Sequence, residues 1–210
     1  SSIAAKKLKI PIFHYEAGNR CNDQRVPEEI NRKIVDHISD INLTYSQISK
    51  SNLLKEGIPE KQVICIGSPM YEVLKNNKSH IAKSKIKEKL KIKKADYSLL
   101  SIHREETVES KGSLNTVFKI INSICKNKKN KVVLSTHPRL KKKNNNYKFD
   151  KKNLIINKPF NFSDYCNLQK NAKIVISDSG TINEEASILK FKAINLRNTH
   201  ERHEANEESP

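Results

Sequence analysis

Lys173-Ile174-Val175-Ile176-Ser177-Asp178-Ser179-Gly180-Thr181-Ile182-Asn183-Glu184-Glu185 is the stretch on which the fold turns. It opens as a short apolar strand, passes through a Ser-Gly turn and enters a helix for which Thr181, with Glu184 three residues on, has the form of a capping box. Glycine at such a turn permits close approach to the backbone, and free N–H groups at a helix start suit a diphosphate. Ser179 can add a hydroxyl bond. Glu185 would repel a phosphate that it faced, so a neutral donor is its more sensible partner.

Working outward, short runs rich in Ile and Val alternate with longer amphipathic stretches. The strand readings are Lys9 to Tyr15, Gln62 to Ile66, Tyr97 to Ile102, Lys131 to Ser135, Asn153 to Asn157, Lys173 to Ser177 and Ala193 to Leu196. Such alternation predicts β-α units around a parallel sheet. Ile30, Ile34, Ile38 and Ile41 recur at helical spacing behind Pro27, which suits a first helical turn, so a helix is expected over Pro27 to Ile41. Ser113 to Ile124 and Phe162 to Ala172 read as helices in the same way. A domain boundary is expected in the Lys-rich segment Asn76 to Lys94, where Ile81, Ile86, Leu90 and Ile92 suggest an interdomain helix that also packs on the second domain. Lys141 to Lys152 reads as a solvated, charged loop.

The chain has 210 residues and a formal charge of +17. That balance would ordinarily raise nucleic-acid binding, yet only seven of the forty basic residues are Arg, the residue that pairs bidentately with phosphate and bases. Lysines spread among Asn and Ile read as the habit of an A/T-rich genome as much as a binding face, and nucleic acid is not an expected partner. No run approaches the apolar length of a membrane span and no signal segment is recognisable, so a soluble, cytoplasmic protein with no membrane partner is the default. Cys21, Cys65, Cys125 and Cys166 are widely spaced, which disfavours zinc and a disulfide framework alike.

Ionisable groups crowd one region. His14, Glu16, Arg20, Asp23, Arg25, Glu28, Glu29 and Arg32 follow the apolar run Ile10-Pro11-Ile12-Phe13, at the strand end where open α/β sheets place ligands. Glu16 stands at the end of a strand and Glu28 in the first turn of the next helix, so both can project to one rim of the sheet. The helix dipole favours Glu28 as an anion. His103-Arg104-Glu105-Glu106 ends another strand, and His137 ends the next in Ser135-Thr136-His137-Pro138-Arg139.

Taken with Ser177 to Glu185, these motifs make the chain resemble the non-hydrolysing UDP-N-acetylglucosamine 2-epimerase family over essentially its whole length. The wording of residues 14–21, 23–42, 67–74 and 178–185 is similar to the branch acting on UDP-2-acetamido-2,6-dideoxy-L-talose, the last step to UDP-N-acetyl-L-fucosamine. The resemblance implies an α/β fold of two Rossmann-like parallel-sheet domains of the GT-B type, residues 1–80 and 81–210, with the first N-terminally and the second C-terminally truncated. It implies C2 inversion by elimination and re-addition of UDP, with no cofactor or metal. Glu16, Glu28 and His103 match the family's catalytic residues. Arg25, Arg104, His137, Ser179, Gly180, Thr181, Glu185 and Arg202 match its substrate and UDP contacts, Glu185 towards ribose hydroxyls. His203 and Lys192 stand where the family pattern has proline.

The family's first strand and a further catalytic aspartate would precede Ser1, so this piece alone is expected to be weakly active or inactive. The family often forms homodimers. Rival readings are a UDP-N-acetylglucosamine to UDP-N-acetylmannosamine 2-epimerase, a hydrolysing epimerase, a GT-B glycosyltransferase sharing the nucleotide site, and a non-catalytic basic module for nucleotide or nucleic acid. The pairing of Glu16 and Glu28 with His103 favours the epimerase.

Overall fold

A computed structural model describes residues 1–21, 27–102, 111–126, 130–136 and 153–196. The chain divides into two compact units, one built on Ser1–Tyr71 and the other on Glu72–Arg197. Among the described residues no helix is long and apolar enough to cross a membrane.

The first unit carries three parallel strands in the order β1 (Phe13–Tyr15), β2 (Ile41–Thr44), β3 (Val63–Cys65), with helices α1 (Ser2–Lys7), α2 (Pro27–Ile38) and α3 (Gln47–Lys55). Register places Phe13 beside Ile41, Tyr15 beside Leu43 and Leu43 beside Ile64. Side chains alternate along a strand, so these five share one face, and His14, Asn42, Thr44, Val63 and Cys65 share the other. Asn42, Thr44 and Val63 on the second face are buried, whereas Phe13, Tyr15 and Ile64 on the first stay about half exposed or more. The buried apolar cluster of this unit is small: Ala17, Leu53, Ile58 and Val63.

Three expectations fail here. The helix expected to run to Ile41 stops at Ile38, and Ile41–Thr44 is a strand that the sequence reading lacked. The Ser39 hydroxyl donates back to the Val35 carbonyl at 2.7 Å, and Asp40 accepts from the Ile12 amide and from Lys6, which turns the chain into the sheet. The spacing of Ile41 continues the helical period by coincidence. The helix also buries the unexpected side: Glu29 and Asp36 are buried, while Ile30 and Ile34 lie exposed. In addition β1 begins at Phe13 rather than Lys9, because Lys9 takes a left-handed turn at φ 58° after α1.

The second unit holds five parallel strands, β4 (Tyr97–Ile102), β5 (Lys131–Thr136), β6 (Leu154–Asn157), β7 (Ile174–Ser177) and β8 (Ala193–Asn195), in the order β6-β5-β4-β7-β8. The chain builds outward from β4 through β5 to β6, then returns to lay β7 on the other side of β4. That reversal makes a topological switch point between the carboxyl ends of β4 and β7, where Ser101 pairs with Ser177. Parallel strands need apolar cover on both faces. Helix α7 (Lys111–Lys126) supplies Leu114, Val117, Phe118, Ile121 and Cys125 against Leu100, Ile102, Val132 and Leu134 on one face. On the other, α8 (Phe162–Asn171) and α9 (Ile182–Leu189) bring Leu168 and Ile182 against Tyr97, Leu99, Val133 and Val175.

The Lys-rich segment is not one helix. After α4 (Met70–Asn76) it breaks into α5 (Lys78–Lys83) and α6 (Ile86–Lys89), separated by extended Ser84, whose hydroxyl bonds Asp164 and accepts from the Ile86 amide. Ile81, Ile86 and Ile92 are buried in the second unit. The Asn167 amide donates to the Ile81 carbonyl at 2.7 Å, which pins α5 to α8.

Candidate functional site

The turn after β1 is built from charge. Arg20 is buried, with its guanidinium bidentate on Glu56 (Nε to Oε1 2.7 Å, Nη2 to Oε2 2.6 Å) and Nη1 on Asp36 Oδ2 at 2.7 Å. Asp36 is fully buried, and its other oxygen lies 2.6 Å from His14 Nδ1. Burial alone would lower the Arg20 pKa, but its hydrogen bonds to Glu56 and Asp36 outweigh that and hold it above its ordinary value. The Asp36 carboxylate also accepts from the Gly18 amide, at 3.3 Å. Gly18 can be nothing larger: at φ +80° an added Cβ would stand 2.3 Å from the Ser49 carbonyl oxygen.

Glu16, placed by this turn at the end of β1, sits half-buried in the left-handed region at φ 68°. A non-glycine residue there stores about 1–3 kcal/mol and persists only where its surroundings over-determine it. They do: the Ala17 amide donates to Leu43, Asn52 donates to the Gly18 carbonyl, and Asn19 donates to Glu16 Oε1 at 3.2 Å.

The two glutamates that open α2 part company. Glu28 is exposed on the first turn, whereas Glu29 is fully buried and accepts from the Cys21 amide at 3.0 Å, with Lys33 at 3.2 Å from its other oxygen. Burial would raise the Glu29 pKa, but the Cys21 amide, Lys33 and the Cys21 thiol more than compensate and hold it below the usual carboxylate range. Glu28 therefore has the exposure a reacting group needs, and Glu29 anchors the loop.

In the second unit, residues 178–181 follow β7 at the switch point. The Ser179 amide donates to Ser177 Oγ at 3.1 Å, and Ser179 Oγ in turn accepts from the Thr181 amide at 3.3 Å. Asn195, at the end of β8, reaches the Ser179 carbonyl at 3.5 Å. The capping box expected of Thr181 and Glu184 is not formed. Thr181 precedes α9 with helical backbone angles (φ −97°, ψ −3°), so its side chain caps no amide, and its hydroxyl donates instead to Glu185 Oε1 at 2.6 Å. Gln169 of α8 holds the other carboxylate oxygen of Glu185 at 2.5 Å. Glu185 is thus held by two neutral donors of the chain itself.

Tyr165 of α8 packs against the apolar cluster that holds Tyr97, Leu99, Val133 and Val175. Burial pushes the Tyr165 phenol up to about 12, and burial followed by the nearby Glu185 charge pushes the Cys166 thiol up to about 12. Both stay protonated near neutrality, and Cys166 is a packing residue.

Of the candidate residues, Glu16 follows β1 and Glu28 lies in the first turn of α2, both in the first unit, and Ser179, Gly180, Thr181 and Glu185 lie in the turn after β7 and the first turn of α9 in the second. Arg25, His103, Arg104, His137 and Arg202 lie outside the described residues; in the chain, His103 directly follows β4 and His137 directly follows β5. The sequence reading missed Asp36, Glu56, Asn19, Ser49 and Gln169 as residues that build these turns.

The profile of the family described as UDP-N-acetylglucosamine 2-epimerase matches residues 1–209. The chain belongs to this family. It is similar to the UDP-N-acetylglucosamine 2-epimerase of Methanocaldococcus jannaschii, at 37% identity over 217 residues covering 97% of this chain and 58% of the relative. Among solved structures, a UDP-N-acetylglucosamine 2-epimerase from Rickettsia bellii is 45% identical with a TM-score of 0.83, covering 97% of this chain and 54% of that one. The M. jannaschii epimerase in complex with UDP-GlcNAc and UDP is 35% identical with a TM-score of 0.88, covering 98% and 59%. The chain therefore spans a little over half the length of these epimerases.

Proposed function

We propose that this chain carries the acid/base and nucleotide-binding machinery of a UDP-sugar 2-epimerase. The observation that carries the reading is the family match over residues 1–209, which takes in both the Glu16 turn and the Ser179 to Glu185 turn. The C2 proton of an N-acetylated sugar is barely acidic, so inversion proceeds by elimination. A carboxylate takes the C2 proton, the C–H electron pair becomes a C1–C2 double bond, and the C1–O bond breaks as UDP leaves. UDP then returns to C1 while a proton is delivered to the other face of C2, which restores every atom. The enzyme has to place a base and an acid around C2 and to hold UDP between the two steps.

Glu16, exposed enough to react and held in one conformation, is the proposed base, with Glu28 and His103 as its partners in proton transfer. Ser179, Gly180 and Thr181 are assigned to the diphosphate and Glu185 to the ribose hydroxyls, with Arg25, Arg104, His137 and Arg202 as further contacts. The two-domain GT-B organisation and a homodimer are part of the same proposal.

For the sugar we favour UDP-2-acetamido-2,6-dideoxy-L-talose, on the wording of residues 14–21, 23–42, 67–74 and 178–185. The names of the relatives favour a second reading, UDP-N-acetylglucosamine. Incubation with each UDP-sugar in D2O, read by NMR for deuterium at C2, separates them: label in the L-sugar alone supports the first and label in UDP-N-acetylglucosamine alone the second. UDP binding that Ser179→Ala and Glu185→Ala weaken, without label in either sugar, is the result expected of this piece alone; UDP binding that neither substitution weakens would sink the assignment of the nucleotide turn.

A further inference from the structure

Asn19 is almost fully buried and lies between Glu16 and the start of α3. Its Nδ2 donates to Glu16 Oε1 at 3.2 Å, and its Oδ1 faces Ser49 Oγ at 2.7 Å. A side-chain amide can in principle lie either way round, so its orientation has to be fixed by its neighbours. Here the neighbours leave one arrangement. The Ser49 backbone N–H, which can only donate, donates to Ser46 Oγ at 3.1 Å. The ionised Glu16 carboxylate can only accept, so Asn19 presents its NH2 group to Oε1 and its Oδ1 accepts from the Ser49 hydroxyl; with that proton used, Ser49 Oγ accepts in turn from Ser46 at 3.1 Å. The relay has one sense from Ser46 to the carboxylate, and it holds the NH2 group of Asn19 against Glu16.

We propose that Asn19, oriented by the Ser46–Ser49 relay, is the residue that positions the Glu16 carboxylate for proton transfer. The proposal rests on the reading of Glu16 as the base. A neutral donor suits the task because it keeps its hydrogen bond to Oε1 whether the carboxyl is ionised or has taken the C2 proton on Oε2. A cation in its place would resist the second state. Asn19 is a positioning residue: it acts through Glu16, and Ser49 acts one step further back without touching it.

The test uses the whole chain and two readouts. The first is the Asn19 side-chain amide signal in a 15N-labelled sample, assigned by its loss in Asn19→Leu. It is expected to exchange slowly with solvent and to shift in both Glu16→Gln and Ser49→Ala; an amide that exchanges like a free asparagine, or that ignores Glu16→Gln, overturns the proposal. The second is C2 deuterium exchange of the accepted UDP-sugar. Ser49→Ala is expected to lower kcat about 10-fold with KM little changed, Asn19→Leu about 100-fold, and Ser49→Thr to restore most of the rate. Equal kcat in the wild type and Ser49→Ala also overturns it. If the wild-type chain exchanges no UDP-sugar, as is expected of this piece alone, the amide signals decide whether the relay holds Glu16.

Discussion

The two units are held together by different physics. In the first, the apolar cluster amounts to Ala17, Leu53, Ile58 and Val63, and buried Asp36 and Arg20, paired with half-buried His14 and exposed Glu56, tie β1, α2 and the end of α3. In the second, two apolar clusters sandwich the sheet, with Tyr97, Phe118, Leu99, Leu100 and Leu134 fully or almost fully buried. Apolar packing is non-directional and tolerates substitution if volume is kept. A buried charge network is directional: it contributes little net stability over an apolar substitute, but losing one member leaves the others desolvated and unpaired. The turn that must hold Glu16 in a left-handed conformation is the one built directionally, whereas the nucleotide-type turn sits on an apolar platform.

The sharpest way to break this contrast is Asp36→Ala. Removing Asp36 strips Arg20 and His14 of a buried partner and should destabilise the first unit by about 3–5 kcal/mol. Hydrogen exchange should show lost protection in β1 and β2 with β4 and β5 unchanged; equal loss in both units would mean that they do not stand separately. Leu134→Ala is the counterpart in the second unit, costing about 2–5 kcal/mol through a cavity in its larger cluster, with the first unit spared.

Smaller effects should divide by pH. The phenol of Tyr165 is raised to about 12, so its contribution is full below the ordinary tyrosine value and is lost as pH climbs from about 10 towards 12. That step, about 1–3 kcal/mol, should vanish from an alkaline denaturation series in Tyr165→Phe. Glu29 has the opposite sign: its depressed pKa gives the first unit stability that is full above the ordinary glutamate value and fades as pH falls through the lowered one. Glu29→Gln should flatten that acid limb. Smallest of all is Glu60→Ala, which removes a 3.0 Å pair with Lys50 at a mostly exposed glutamate and should shift the midpoint by no more than about 0.5 kcal/mol.

How much of this could be read in advance follows the same contrast. Strand β4 was legible to the residue and β5 and β7 to within one, because buried parallel strands are short apolar runs bounded by polar turns. The second unit's amphipathic helices were legible too. In the first unit the pattern misled: Ile30 and Ile34 mark a helix face that stays open, while the inward side carries Glu29 and Asp36. Strand β2 was invisible because its inward residues are Asn42 and Thr44, which look like solvent positions although both are buried, Asn42 donating to the Asp36 carbonyl. Glu16 and Glu28 were singled out by chemistry and resemblance. Asn19 was not, since its role depends on Ser46 and Ser49 in a helix that no periodicity announced.

Five non-glycine residues take positive φ among the described residues, and three of them are lysines: Lys9, Lys91 and Lys190. Lys190 closes α9 in the left-handed conformation usually left to glycine. Lysine is encoded by AAA and AAG and every glycine codon begins with GG, so a genome drifting towards A and T withholds the residue that such a turn favours. Each of these lysines is separated from glycine by both leading letters of its codon, a mutational distance that selection for stability alone crosses slowly.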